Sequence, residues 1–333
     1  MSDAPQVLSG EDRLIARYFR PLARAPGAFG LSDDAAILEP PPGWDVVLKT
    51  DPIIAGVHFF PDDPPDAVAR KALRVNLSDL AAKGATPAGF LLALALPPTI
   101  SEDWLAPFAG ALGEDADRYQ CPLLGGDTDA TPGLLTVSIT AFGLVPHGTM
   151  VPRNGAKVGD HVVVSGTVGD AALGLRLRRA APGSPAPPAR VRDHLLSRYQ
   201  IPEPRTGLAE TLRRYASAAM DISDGLAGDL AKLCRASGVS AQIDIAQLPL
   251  SAAARSMLDA DPALLDVVLT GGDDYEVLCT LPSAHLVDFR DAATATGIAV
   301  TIIGQVVAGP ADPRFSDARG QLRSFGRPSF SHF

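Results

Sequence analysis

Apolar residues fall along this chain in two rhythms. Near-continuous apolar runs at 46–51, 89–96, 134–145, 161–165, 241–245, 277–281 and 300–307 have the length and β-branched content of strands. Stretches with an apolar residue every three or four positions, at 14–20, 66–82, 104–119, 170–179, 205–215, 226–236 and 284–296, predict helices. Asp66, after two prolines, is placed as the cap of the second of these. Strands and helices alternate in both halves, which predicts an α/β or α+β class. A composition break at 146–159 suggests two domains of similar size, 1–148 and 149–333. The Pro/Ala-rich stretch 180–189 lies between helical patterns and reads as a surface loop.

Aspartates recur where the apolar runs stop. They stand in Ser32-Asp33-Asp34, Thr50-Asp51, Asn76-Leu77-Ser78-Asp79, Gly125-Gly126-Asp127-Thr128, Asp221-Ile222-Ser223-Asp224-Gly225 and Gly271-Gly272-Asp273-Asp274. Open α/β sheets bind ligands at strand ends, and oxygen-rich sites select hard cations, so magnesium and polyphosphate are the first expectation. Two carboxylates 4 Å apart at an effective dielectric of 20 repel by about 4 kcal/mol, so a convergent set needs counter-ions. Any one of these residues taken alone is equally well read as a local device. Asp221 or Ser223 can cap the helix marked by Leu226, Leu230 and Leu233, and Asp79 can pair with Lys83 one turn on.

The 333 residues carry a net charge of −9 with scattered Arg and Lys, which argues against a nucleic-acid or anionic-membrane surface. A 46% hydrophobic content is enough for packed cores, and no apolar stretch approaches membrane-spanning length. Three widely spaced cysteines, Cys121, Cys234 and Cys279, suit reduced core thiols in a cytoplasmic protein. The usual phosphate loops are missing: there is no Gly-Lys dipeptide and no Gly-x-Gly spacing. A nucleotide would therefore be held by backbone amides near Gly125-Gly126 and by cations bound to aspartates.

Taken in order, the motifs resemble the thiamine-monophosphate kinase family within the aminoimidazole ribonucleotide synthetase superfamily. The likeness runs through Leu14-Ile-Ala-Arg-Tyr-Phe19, Asp33-Asp34-Ala35-Ala36, Thr50-Asp51, Gly56-Val57-His58-Phe59, residues 72–85, Leu124-Gly-Gly-Asp-Thr128, Asp221-Ile-Ser-Asp-Gly-Leu226, residues 271–276 and His332-Phe333. The resemblance implies a two-domain fold whose N-terminal sheets pair into a barrel in a homodimer. It implies ATP-dependent phosphorylation of thiamine monophosphate to thiamine diphosphate by direct in-line transfer, assisted by several magnesium ions. Asp34, Thr50, Asp51, Asp79, Asp127, Asp221 and Asp224 would hold magnesium. Gly125, Gly126, Arg153 and Ser223 would contact ATP, and His58, Asp273 and Phe330 would face the substrate. No general base is implied, since the acceptor is a phosphate oxygen already anionic near neutral pH.

Four positions depart from the family pattern. Ser32 stands for a usual Gly, Lys49 for a small hydroxyl residue and Asp273 for a Glu, while the C-terminal stretch lacks the common Trp and offers Phe325 or Phe330. Two other readings remain at this stage: a superfamily member that activates another acceptor with ATP, and a nucleotide sensor without turnover.

Overall fold

The computed structural model describes residues 10–325, apart from 182, 311 and 318. The chain divides into two compact units. One comprises the chain up to Asn76 together with Pro87–Leu144, and the other comprises Leu77–Thr86 with the chain from Val145 onward. Among the described residues no helix is long and apolar enough to cross a membrane.

In the first unit the short helix α1 (Gly10–Leu14) continues through a π turn and two 3-10 segments to Leu31. Strand β1 (Trp44–Ile54), helix α2 (Pro65–Ala82), strand β2 (Thr86–Leu96), helix α3 (Glu102–Arg118) and strands β3 (Leu123–Ala130) and β4 (Thr136–Pro146) follow. The sheet order is β1-β4-β2-β3, with β3 parallel to β2 and α3 as the crossover that a parallel pair requires. Strand β4 alternates strictly: Val137, Ile139, Ala141 and Val145 are buried, while Ser138, Thr140 and Phe142 are half-buried. One face of this sheet is thus closed within the chain and the other is partly open. The N-terminal part of α2 is tied to α3 by a buried ion pair, Arg74 donating to Asp115 at 2.6 and 2.9 Å, with Arg70 joining at 2.8 Å. Asp66, placed as a cap by the sequence, lies inside the first turn, because the helix already begins at Pro65.

The second unit contains strand β5 (His161–Ser165), helices α4 (Asp170–Arg178), α5 (Ala189–Gln200) and α6 (Ala209–Tyr215), strand β6 (Ala218–Asp221), helix α7 (Leu226–Ser237) and strand β7 (Ser240–Asp244). Helices α8 (Ala252–Ala260) and α9 (Leu265–Thr270), strand β8 (Val277–Leu281), helix α10 (Leu286–Ala295) and strands β9 (Val300–Val307), β10 (Arg314–Ser316) and β11 (Leu322–Arg323) complete it. The mixed sheet runs β11-β10-β7-β9-β5-β8-β6. Both of its faces are covered. Val162, Val164, Met220 and Leu278 join one core with Leu226, Leu230 and Leu233 of α7, while Val163, Ala219, Val277, Cys279 and Leu281 join another with Leu212 of α6 and Phe289 of α10. Alternate residues of each strand therefore bury on opposite sides, which is why these strands read as unbroken apolar runs. Each fully buried Leu or Val contributes about 1.5–3 kcal/mol.

The three cysteines are free and buried, as core thiols should be. Burial pushes Cys121 and Cys279 up to about 12 and Cys234 to about 11, so they stay protonated.

Candidate functional site

Two of the aspartate motifs lie inside strands rather than at their ends. Thr50-Asp51 is part of β1 and Gly125-Gly126-Asp127 part of β3, the two edges of the first sheet. The sequence-based boundary fails at β3 because Gly-Gly weakens strand propensity, while its neighbour fixes the register, Leu92 opposite Gly126 and Ala93 opposite Asp127. A Cβ at Gly126 would stand 1.8 Å from the Leu92 carbonyl oxygen, so only glycine permits this close pairing.

On the partly open face lies a cavity of about 860 Å3, and it gathers Asp33, Asp34, Gly125, Gly126 and Asp127 from the predicted set. Its floor includes Ser138 and Thr140, and its apolar wall Phe19, Leu91 and Phe142. Asp127 Oδ1 accepts from the Thr128 amide at 2.9 Å. Ser32 sits at φ −108°, a conformation open to any residue, so a glycine is not needed there. The left-handed positions are Phe29, Gly30 and Leu31 just before it, and the Ser32 hydroxyl donates to the Phe29 carbonyl at 2.6 Å.

Thr50 and Asp51 project to opposite faces of β1. The Thr50 hydroxyl donates to the Ile139 carbonyl at 3.2 Å and accepts from Thr140 at 3.0 Å, whereas Asp51 meets Lys49 at 3.1 Å. Lys49 and Asp51 share one face, as their spacing predicts. His58 is occupied locally: its Nδ1 accepts from the Ile54 amide at 3.0 Å and its carbonyl from Lys71 Nζ at 2.9 Å. Neither Asp51 nor His58 lines the cavity.

The second unit assembles the other motifs. Asp79 and Lys83 stand one turn apart at the end of α2, with the Lys83 ammonium donating to the Ala219 carbonyl beside Asp221. Burial lowers Lys83 to about 8, the positive charge of Arg153 adds to this, and Asp221 and Asp79 oppose it. These electrostatic couplings bring Asp79, Lys83, Arg153 and Asp221 into one neighbourhood. The Asp221–Gly225 turn is laced to the Gly271–Glu276 turn: Tyr275 donates its amide to the Ile222 carbonyl at 2.8 Å, Asp273 to Ser223 at 2.9 Å, and Ile222 to Glu276 at 2.8 Å. At Gly272 a Cβ would meet the Ser223 carbonyl oxygen at 2.2 Å, so the two turns touch backbone to backbone. Asp273 is left-handed, φ 72°, and its Oδ1 accepts from the Tyr275 hydroxyl at 3.3 Å.

Neither Asp221 nor Ser223 caps α7. Gly225 holds the cap position without a side-chain bond, and fully buried Asp229 takes over, its Oδ2 accepting from the amides of Ser223 at 3.0 Å and Asp224 at 2.9 Å. The reason is geometric: the turn folds back over the first turn of α7, so an acceptor inside the helix reaches its amides. Asp224 itself is in an ion pair with Lys232, which also meets Asp229 at 2.8 Å. Sequence reasoning missed this role of Asp229, and its only signal was an acid within an otherwise apolar helical stripe.

At the end of the Gly271–Glu276 turn, fully buried Glu276 accepts from Ser165 at 2.6 Å, from Arg198 at 3.1 Å and from Nε and Nη2 of Arg205. Buried Asp274 accepts from the amides of Gly169 at 2.6 Å and Ala171 at 3.2 Å at the start of α4, and burial pushes its carboxyl up to about 8. Phe325 packs edge-on to Phe315, ring centres 5.2 Å apart, against the second unit's core. Phe330 lies outside the described residues.

Among the described residues no three acidic, His or Cys side chains converge as a metal cage. Magnesium does not ask for one. It is usually held by one or two carboxylates, waters and substrate phosphates, and the carboxylate and hydroxyl oxygens here match that hard donor set.

Residues 32–145 match the family AIR synthase related protein, N-terminal domain, and residues 157–313 its C-terminal domain. A thiamine-monophosphate kinase of Caulobacter vibrioides is 44% identical over 299 residues, covering 89% of this chain and 83% of the relative. The crystal structure of thiamine-monophosphate kinase from Stenotrophomonas maltophilia K279a superposes with a TM-score of 0.81 at 38% identity, covering 94% of this chain and 96% of that one. AaThiL complexed with AMPPCP and TMP superposes at 0.76 with 30% identity, covering 92% and 97%. The resemblance seen in the motifs thus extends along nearly the whole chain, which belongs to the thiamine-monophosphate kinase family, built from the two AIR synthase related domains.

Proposed function

We propose that this enzyme transfers the γ-phosphoryl group of ATP directly to thiamine monophosphate, giving thiamine diphosphate and ADP, with several magnesium ions assisting. The observation that carries the reading is the match to thiamine-monophosphate kinases over about nine tenths of the chain, together with the AaThiL complex with AMPPCP and TMP. The acceptor is an anion, so the task is to bring two anions into line rather than to remove a proton. Magnesium, held by Asp34, Thr50, Asp51, Asp79, Asp127, Asp221 and Asp224, would supply the charge neutralisation between them.

The chain's own groups do the rest. Gly125 and Gly126 both line the cavity, and at Gly125 a Cβ would meet only Leu91 Cδ2 at 3.4 Å, so its bare backbone leaves room for a phosphate to approach. Arg153 is exposed and offers a planar, permanently charged fork, and Ser223 lies in the turn that Asp229 holds. His58 and Asp273, with Phe330, face the substrate in this reading. Left-handed Asp273 is held by the laced turns above Glu276, which lets a carboxylate one methylene shorter than Glu keep a fixed direction.

The same reading includes a cytoplasmic homodimer in which the first unit's sheets meet. Trp44, Val46 and Leu48 support it, since they lie on one side of edge strand β1 and are 37%, 37% and 66% exposed. The direct test incubates the protein with magnesium-ATP and thiamine monophosphate or free thiamine, and follows thiamine diphosphate and ADP. Turnover of the monophosphate alone is expected. Comparable phosphorylation of free thiamine would refute the baseless mechanism, and no turnover of either would favour a sensor.

A further inference from the structure

Two lysines stand against carboxylates of the proposed magnesium set. Lys49 meets Asp51 at 3.1 Å, and Lys232 is clamped between Asp224 and Asp229. Each is carried on a regular element that aims it: β1 by its two-residue alternation and α7 by the three-residue step from Asp229. An ammonium is a compact point charge, and at ion-pair distance it takes lone pairs that a divalent ion would need.

We propose that Lys232 is a tethered counter-ion that competes with magnesium for Asp224, so that this chain takes up metal together with a polyphosphate rather than ahead of it. The inference rests on the assignment of Asp224 as a metal ligand. Without metal, the ammonium balances Asp224 and Asp229, which would otherwise repel one another. When a nucleotide arrives, its phosphate oxygens would offer the displaced ammonium a new anion and complete the coordination of the metal. Both exchanges then favour the loaded state, whereas bare magnesium would have to break an ion pair without compensation.

The test is calorimetric titration of magnesium chloride into the nucleotide-free protein, with melting temperatures alongside. Lys232→Met, at a side chain about one-third exposed, keeps the length and removes the charge. It should tighten magnesium binding at least fivefold, lower the metal-free melting temperature, and let magnesium restore more of it than in the wild type. Lys232→Arg should stay close to the wild type. A magnesium Kd for Lys232→Met within twofold of the wild type overturns the proposal. Asp224→Asn separates the layers. If it weakens magnesium binding while Lys232→Met changes nothing, only the competition falls; if it leaves binding untouched, the ligand assignment falls and the competition with it.

Discussion

Replacing Asp229 by Ala tests whether a residue with no foreseen role organises the Asp221–Gly225 turn. Its carboxylate receives two backbone amides, Ser223 at 3.0 Å and Asp224 at 2.9 Å, and an ammonium at 2.8 Å. Hydrogen bonds to a charged group are worth about 1.5–3 kcal/mol each, so the two amides alone set a ceiling of about 3–6 kcal/mol. Ser223 and Asp224 are half-exposed, and water entering the vacated space would satisfy part of that loss. Burial also penalises the charged carboxylate, which raises its pKa against the pull of Lys232, so deleting it returns some desolvation cost. A net loss of about 2–3 kcal/mol follows, equivalent to about 4–12 °C in melting temperature for a unit of this size. Differential scanning calorimetry measures it, and hydrogen exchange should show the amides of residues 223 and 224 losing protection. Asp229→Asn keeps one acceptor oxygen and should lose about half as much. A melting temperature within 2 °C of the wild type, with both amides still protected, would refute the reasoning.

Asp274 gives a pH dependence. Its folded pKa of about 8 lies above the unfolded carboxyl value, so the folded state retains a proton that the unfolded state releases. Its contribution is full below about pH 4 and is lost as the pH rises through 8. The urea midpoint should therefore fall between pH 5 and 8, and Asp274→Asn should flatten that slope; an unchanged slope contradicts the assignment. Asp79→Asn and Asp224→Asn should lower turnover at least about a hundredfold with the fold retained, and full activity in both would return these residues to purely local pairing. Lys49→Ser should add one magnesium at saturation, read by equilibrium dialysis, and an unchanged stoichiometry would exclude Lys49 from the metal region. Light scattering at low micromolar concentration should give the mass of two chains, and an active single chain would contradict the dimer.

The pattern of apolar residues made the centre of the second unit's sheet legible, because β5 and β8 are buried on both faces or nearly so and leave uninterrupted runs. Helices α2 and α3 were legible within a few residues: α3 has a long period with one buried side, whereas α2 is buried almost all round and shows itself by its length. Helix α8 went unread although Ser251 caps it, accepting from the Ala254 amide at 2.9 Å. Strand β6 has only four residues, and its place at the sheet edge depends on β8 supplying the register. The attachment of Leu77–Thr86 to the second unit has no local signature either: it follows from contacts such as Lys83 to Ala219 and Arg213 to the Gly84 carbonyl, made with residues well over a hundred positions away.

The chemistry of the site was legible as residue types and illegible as directions. Thr50 and Asp51 are neighbours in sequence, yet the strand turns them to opposite faces, so adjacency alone could not say which shares the surface of Thr140 and which meets Lys49. Asp221 and Ser223 looked like caps because they precede a helix, but capping is decided by where the chain turns, and here the turn places their neighbour amides over Asp229. Charge balance follows the same rule. The partners of the aspartates lie two or eight residues along the chain at Lys49 and Lys232, spacings that become contacts only when a strand or a helix aims them. A sequence rich in aspartate motifs therefore announces an anionic site, and only the fold tells which of those charges are already answered by lysine.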